Sequence, residues 1–205
     1  ADEAIDRFKK GYADASPALR ATAVTELAKT LHEKVAKKVI AVAASGDVEE
    51  VRIAAVTGLG AFTDYKKIVT PVLVSVLGGN KKEPKVIEAA FKSLGKLDDE
   101  SALPTIHRYF EEDESAIANA ALMSAAEIKH LSSIDPIIEL MKKYDKVIQA
   151  GKSGSGGGGG QLAPGFKMPG SVPGGGGGKN TVASQVLPVT VKAMQTITGE
   201  KYATA

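Results

Sequence analysis

Three histidines, a run of four acids and lysines set beside polyglycine are the groups in this sequence whose types could do chemistry. His107 and Glu111 stand four residues apart, one helical turn, so both could face a single metal ion. A metal site needs at least three convergent ligands, and His32 and His130 lie on other parts of the chain. The pair therefore reads as a surface hydrogen bond. Glu111, Glu112, Asp113 and Glu114, followed by Ser115, read as a solvated turn whose later acids favour the positive end of the next helix. A cation or basic-partner site is the alternative there. Lys81, Lys82 and Lys85 make an opposing basic turn, and Asp98, Asp99 and Glu100 belong to a loop before a helix. Gly151-Lys152-Ser153 invites a phosphate-loop reading, but the required earlier Gly is replaced by Lys146 and no strand precedes it. Lys179 fails the same test, with Pro173 at the first Gly position and Asn180 in place of Ser or Thr. No Ser–His–Asp arrangement is oriented by the sequence. No catalytic residue, metal ligand or cofactor is assigned, and the chain is read as not an enzyme.

The elements that would position any site are repeated. In DVEEVRIAAVTGLGAF, residues 47–62, Val51, Ala54, Ala55, Leu59 and Phe62 fall on one side of a 3.6-residue helix. Val86, Ala89, Ala90, Leu94 and Leu97 repeat that stripe 35 residues on, and Leu19, Ala23, Val24 and Leu27 precede it by 32. Ile117, Ala120, Ala121 and residues 123–126 form a weaker copy 31 residues after the one at Val86. Pro71, Pro104 and Pro136 recur in phase, each early in an apolar partner helix, where a residue without an N–H is tolerated. Such a period implies stacked helix pairs in a solenoid. Before them, residues 2–14 predict a short amphipathic helix through Ile5, Phe8 and Tyr12, expected to cover the open end of the stack. Ser16-Pro17 is a helix start, and the helix over 32–44 is expected to turn Val35, Val39, Ile40 and Val42 inward.

Composition agrees with close helix packing. Hydrophobic residues make up 43% of the 205 and aromatics only 5%, so Ala, Val, Leu and Ile must fill the core. A net charge of +2 lacks the basic excess expected of a nucleic-acid binder. The absence of Cys excludes disulfides and thiolate chemistry. No apolar run approaches the roughly 20 residues that span a bilayer.

Val51-Arg52, Ala54-Ala55 and Leu59-Gly60 resemble the second helix of the HEAT-repeat family, whose first helix opens on an apolar-apolar-Pro pattern. Ala90 and Leu94-Gly95 match again, while Ile87 and Ala118 stand where Arg is usual. The resemblance covers about residues 16–150. It implies an all-α, right-handed α-solenoid of about four to five HEAT-like helix pairs, with second helices lining the concave side. With Ile87 and Ala118 at those positions the family's buried Arg–Asp ladder is incomplete, and none is expected here. HEAT arrays mostly bind other proteins, and some HEAT-like arrays act as lyases or glycosylases.

After Lys152 the composition changes. Residues 151–178 hold 14 Gly, including the runs 156–160 and 174–178, and read as coil. Between the runs lies QLAPGFKMPGSVP, with Leu162, Phe166, Met168 and Val172. It is either an irregular tether or a short docking peptide, and these four residues are the candidate partner-binding site. Residues 180–199 predict a C-terminal helix that pairs with the one over 134–150, with Pro188 blurring its start. The expected organisation is an array over 1–152, a glycine-rich insertion over 153–179, the helix over 180–199 and a tail over 200–205 that breaks off abruptly. The expected function is a scaffold, a structural or assembly-promoting subunit that binds other protein subunits or itself. An enzyme or enzyme accessory subunit of lyase type, with a concave-face site, is the alternative. ADEA without a Met suits a mature start after removal of a signal sequence, so an exported or other non-cytoplasmic compartment is expected over the cytoplasm.

Overall fold

The computed structural model describes residues 1–13, 16–45, 47–79, 83–154 and 177–200, with backbone only for 151–154 and 177–180. Its helices are α1 (Asp2–Tyr12), α2 (Pro17–Ala28), α3 (Glu33–Ala43), α4 (Glu49–Leu59), α5 (Lys66–Gly79) and α6 (Pro84–Leu97). They continue with α7 (Leu103–His107), α8 (Ser115–Ile128), α9 (Ile134–Gly154) and α10 (Gly177–Thr198). Short 3-10 turns at Thr63–Tyr65, Glu100–Ala102 and Leu131–Ser133 lead into α5, α7 and α9. No strand occurs among the described residues. Each odd-numbered helix packs beside the even-numbered helix that follows it. The even helices stack in order, α2 on α4, α4 on α6, α6 on α8 and α8 on α10. The fold is an all-α solenoid.

Local chemistry explains the helix boundaries. Ser16 Oγ accepts the Leu19 N–H at 3.5 Å and Pro17 follows at the first helical position. His32 and His130 cap with Nδ1, accepting the N–H of Lys34 and of Ser132, and Asp99 does the same for Ser101 with a carboxylate. Asp98 and Lys129 end α6 and α8 in the left-handed conformation, 31 residues apart.

The core is the repeated stripe. Val51, Ala55 and Leu59 are buried, as are Val86, Ala90 and Leu94, and then Ile117, Ala121 and Ala125. The even helices approach closely because small residues line their contacts. A Cβ on Gly58 would stand 2.7 Å from the Ala28 Cβ, and one on Gly60 would stand 3.0 Å from the Ser93 Cα.

Several expectations are corrected. Leu19, placed in the buried stripe, is 60% exposed, whereas its counterparts Val51, Val86 and Ile117 are 0%, 0% and 6% exposed. Each counterpart lies on a helix with another even helix stacked before it; among the described residues α2 has none. The predicted cap is also reassigned: α1 is the first helix of a pair with α2, beside α3 through Lys34–Asp2 at 3.0 Å, and α2 keeps an open outer face. Pro71 lies inside α5 rather than in its first turn, because the helix begins at Lys66. It therefore removes the N–H that would serve the carbonyl of Lys67. Ile40 is only partly buried. Helix α9 runs to Gly154 and α10 starts at Gly177, past the expected limits of 150 and 180. Helix α10 packs on both α9 and α8.

Candidate interaction surface

The structure disperses the histidines. His107, on α7, is hydrogen-bonded through Nε2 to the buried Ser133 Oγ at 2.9 Å, and burial pushes its pKa below the usual value. Its expected partner Glu111 instead pairs with Lys143 of α9. His130 Nε2 lies 3.1 Å from Glu100, joining two successive turns. These residues tie one helix pair to the next. Among the described residues no cluster of His, Cys, Asp and Glu is arranged to hold a metal ion.

A second set of cross-links escaped the sequence reading. Arg20 Nη2 donates to Asp47 at 2.7 Å, and Arg52 Nη1 donates to Glu83. Contrary to the expectation of no ladder, two rungs form among the described residues, while Ile87 and Ala118 stand where further Arg residues are usual. Arg20 was legible in principle: Leu19-Arg20 precedes Val51-Arg52 by 32 residues. The first rung is reinforced by the Tyr12 hydroxyl, which also donates to Asp47, and by the Arg20 guanidinium lying 5.9 Å from the Tyr12 ring centre. The Tyr12 bond is the chief reason the Asp47 carboxyl is held below its usual pKa. Burial, with help from Asp47, pushes the Tyr12 phenol up to about 12.

The outer surface of the described residues carries open grooves. One of about 620 Å³ lies on the open outer face of α1 and α2, beside Phe8, Gly11, Leu19 and Ala23. A second, of about 450 Å³, crosses three stacked helices: Glu88 and Lys92 of α6, Asn119, Ala120, Met123 and Glu127 of α8, and Val189 and Lys192 of α10. Ser115 Oγ bonds to Gln185 Oε1 at 2.6 Å and joins α8 to α10. Beneath the second groove, Ser124 Oγ and Asn119 Oδ1 are buried with no hydrogen-bond partner among the described residues. The expected partner-binding residues Leu162, Phe166, Met168 and Val172 lie outside the described residues, as do Lys81 and Lys82. Among the described residues no helix is long and apolar enough to cross a membrane.

No curated protein matches the chain. The family model for HEAT repeats matches residues 70–151, from within α5 through most of α9. The matched helices alternate and stack as described above, with Leu94-Gly95 at the contact between α6 and α8. That match, over 82 of the 205 residues, and the packing of the matched helices make this part of the chain similar to HEAT repeats.

Proposed function

We propose that this chain is a non-catalytic scaffold, a structural or assembly-promoting subunit of a larger multiprotein complex. HEAT repeats are generally protein-interaction and scaffolding elements. The observation that carries the reading is the unbroken stack of five even-numbered helices, which sets side chains of successive repeats side by side on one surface. In the groove over α6, α8 and α10, apolar side chains of α8 and α10 lie beside charged ones from all three helices. Such a surface suits a protein segment lying across several repeats, because each repeat adds contacts without any one having to enclose the ligand. Leu162, Phe166, Met168 and Val172 supply apolar contacts to other subunits or to another copy. The test is recovery of the tagged full chain from its native source, followed by mass spectrometry and sizing. A reproducible, stoichiometric set of co-purifying subunits, reduced by Lys92→Glu with Lys192→Glu, is expected. Recovery of the chain alone at monomer mass would overturn the proposal.

A further inference from the structure

The even helices do not present equal outer faces. On α6 the solvent side carries Lys85, Glu88 and Lys92; the positions 31 residues later on α8 are Ala116, Asn119 and Met123. Ala116 is exposed and Met123 half-buried, so shortening and uncharging this one face opens a trough with an apolar floor. Glu88, Glu127, Lys92 and Lys192 stand around it. Ser124, 2% exposed, leaves its Oγ without a partner among the described residues at the trough's base.

We propose that this groove is the docking site for residues 161–173 of the same chain, QLAPGFKMPGSVP. The attachment points favour that occupant. The 22 residues 155–176 leave from the end of α9 and return at the start of α10, the helix that walls the groove. Val189 lies 12 residues into α10 from Gly177, about 18 Å along the helix axis. Five Cα–Cα steps join Val172 to Gly177 and can span about 17 Å, so Val172 stops just short of that level, and Met168 and Phe166 reach it with slack. The chemistry also fits. The segment offers Leu162, Phe166, Met168 and Val172 to the apolar floor and one charge, Lys167, to the rim carboxylates of Glu88 or Glu127. Pro164, Pro169 and Pro173 hold down its helical propensity and favour an extended peptide. Attachment at both ends raises its local concentration to the millimolar range, so even weak intrinsic affinity keeps the groove occupied. A partner that uses the same four side chains must then compete with the groove. The inference goes beyond the scaffold reading and does not depend on it.

The experiment uses a labelled synthetic peptide of residues 161–173. It is titrated into the full chain and into a full-length variant whose residues 161–173 are replaced by Gly and Ser in equal number. A third titration adds Ala120→Arg to that variant, and a fourth adds Ala116→Arg instead. Saturable binding to the replaced variant is expected, at least tenfold weaker binding to the parent, and none with either arginine. Ala116 is exposed, so its substitution carries the test if Ala120→Arg lowers the melting temperature. Binding to none of the proteins, equal binding to parent and replaced variant, or binding unaffected by Ala116→Arg would overturn the proposal. So would concentration-dependent association of the parent that vanishes on replacement, because it would assign the contact to a second copy. Loss of co-purifying subunits with peptide binding intact would count against the scaffold reading alone.

Discussion

Ser93 Oγ on α6 donates a hydrogen bond to the carbonyl oxygen of Val56 on α4, at 2.8 Å and fully buried. The bond answers a local problem at the end of α4. There the Gly60 N–H turns to the carbonyl of Thr57 at 3.3 Å, and Ser93 serves the Val56 carbonyl from the neighbouring helix. Gly60 makes the approach possible, since a Cβ there would stand 3.0 Å from the Ser93 Cα. Ser93→Ala should therefore cost about 1–3 kcal/mol, the range for removing one partner of a buried hydrogen bond. Urea unfolding followed by circular dichroism measures it, and a midpoint equal to the parent's would refute the capping role.

Gly58 is the tighter test of helix-on-helix spacing. A new Cβ would lie 2.7 Å from the Ala28 Cβ, a short side chain with nowhere to rotate. Helix propensity alone favours Gly58→Ala by up to about 1 kcal/mol. Overpacking opposes it by about 1–3 kcal/mol, so the variant should be no more stable than the parent. Gly58→Ala combined with Ala28→Gly should recover stability, and thermal melts of the pair would show it.

The buried stripe and the open end should respond differently to truncation. Leu59 and Leu94 are fully buried, and Leu59→Ala and Leu94→Ala should each cost about 2–5 kcal/mol. Leu19 occupies the repeat position of Val51 but stands exposed, so Leu19→Ala should stay within about 0.5 kcal/mol. Equal losses at Leu19 and Leu59 would mean that something covers α2 in solution.

The Tyr12–Asp47–Arg20 cluster predicts a dependence on pH at both extremes. The Tyr12 hydroxyl is the main reason the folded Asp47 carboxyl lies below its ordinary pKa. Its contribution is present above the unfolded value of about 3.9 and fades as the pH falls through the lower folded value. The Tyr12 phenol moves the other way, up to about 12, chiefly through burial. That contribution is present below the unfolded value of about 10 and fades as the pH rises toward 12. Tyr12→Phe should flatten both limbs of a stability–pH profile and remove one late-ionising phenol from the ultraviolet titration. Superimposable profiles would exclude the cluster as their source.

The Arg52–Glu83 rung should be worth more than an exposed ion pair, because the Arg52 and Glu83 side chains are only 13% and 28% exposed. Arg52→Ala should cost about 1.5–3 kcal/mol, the range for hydrogen bonds to charged groups. In a double-mutant cycle with Glu83→Gln, a coupling near zero would place both residues among ordinary surface charges.

Much of the architecture was legible because a helix pair that buries one stripe against its neighbours must repeat that stripe. Val51, Val86 and Ile117 recur at a near-constant interval, and Leu59-Gly60 and Leu94-Gly95 mark where the next helix comes close. Periodicity cannot say which copy has a neighbour. Leu19 carries the same chemistry as Val51 and is exposed because stacking, a property of the assembled array, supplies no earlier even helix among the described residues. Helix starts were similarly underdetermined: Pro71 keeps the repeat interval yet falls inside α5, because the turn at Thr63–Tyr65 winds the helix up early. The groove over α6, α8 and α10 lay furthest from the sequence. Glu88, Met123 and Val189 come from three helices over a hundred residues of chain, and Arg20 meets Asp47 only when α2 and α4 lie side by side. One-dimensional spacing determines which face of each helix is apolar. Only packing decides which of those faces is covered, which charges meet across a turn, and where a groove is left open.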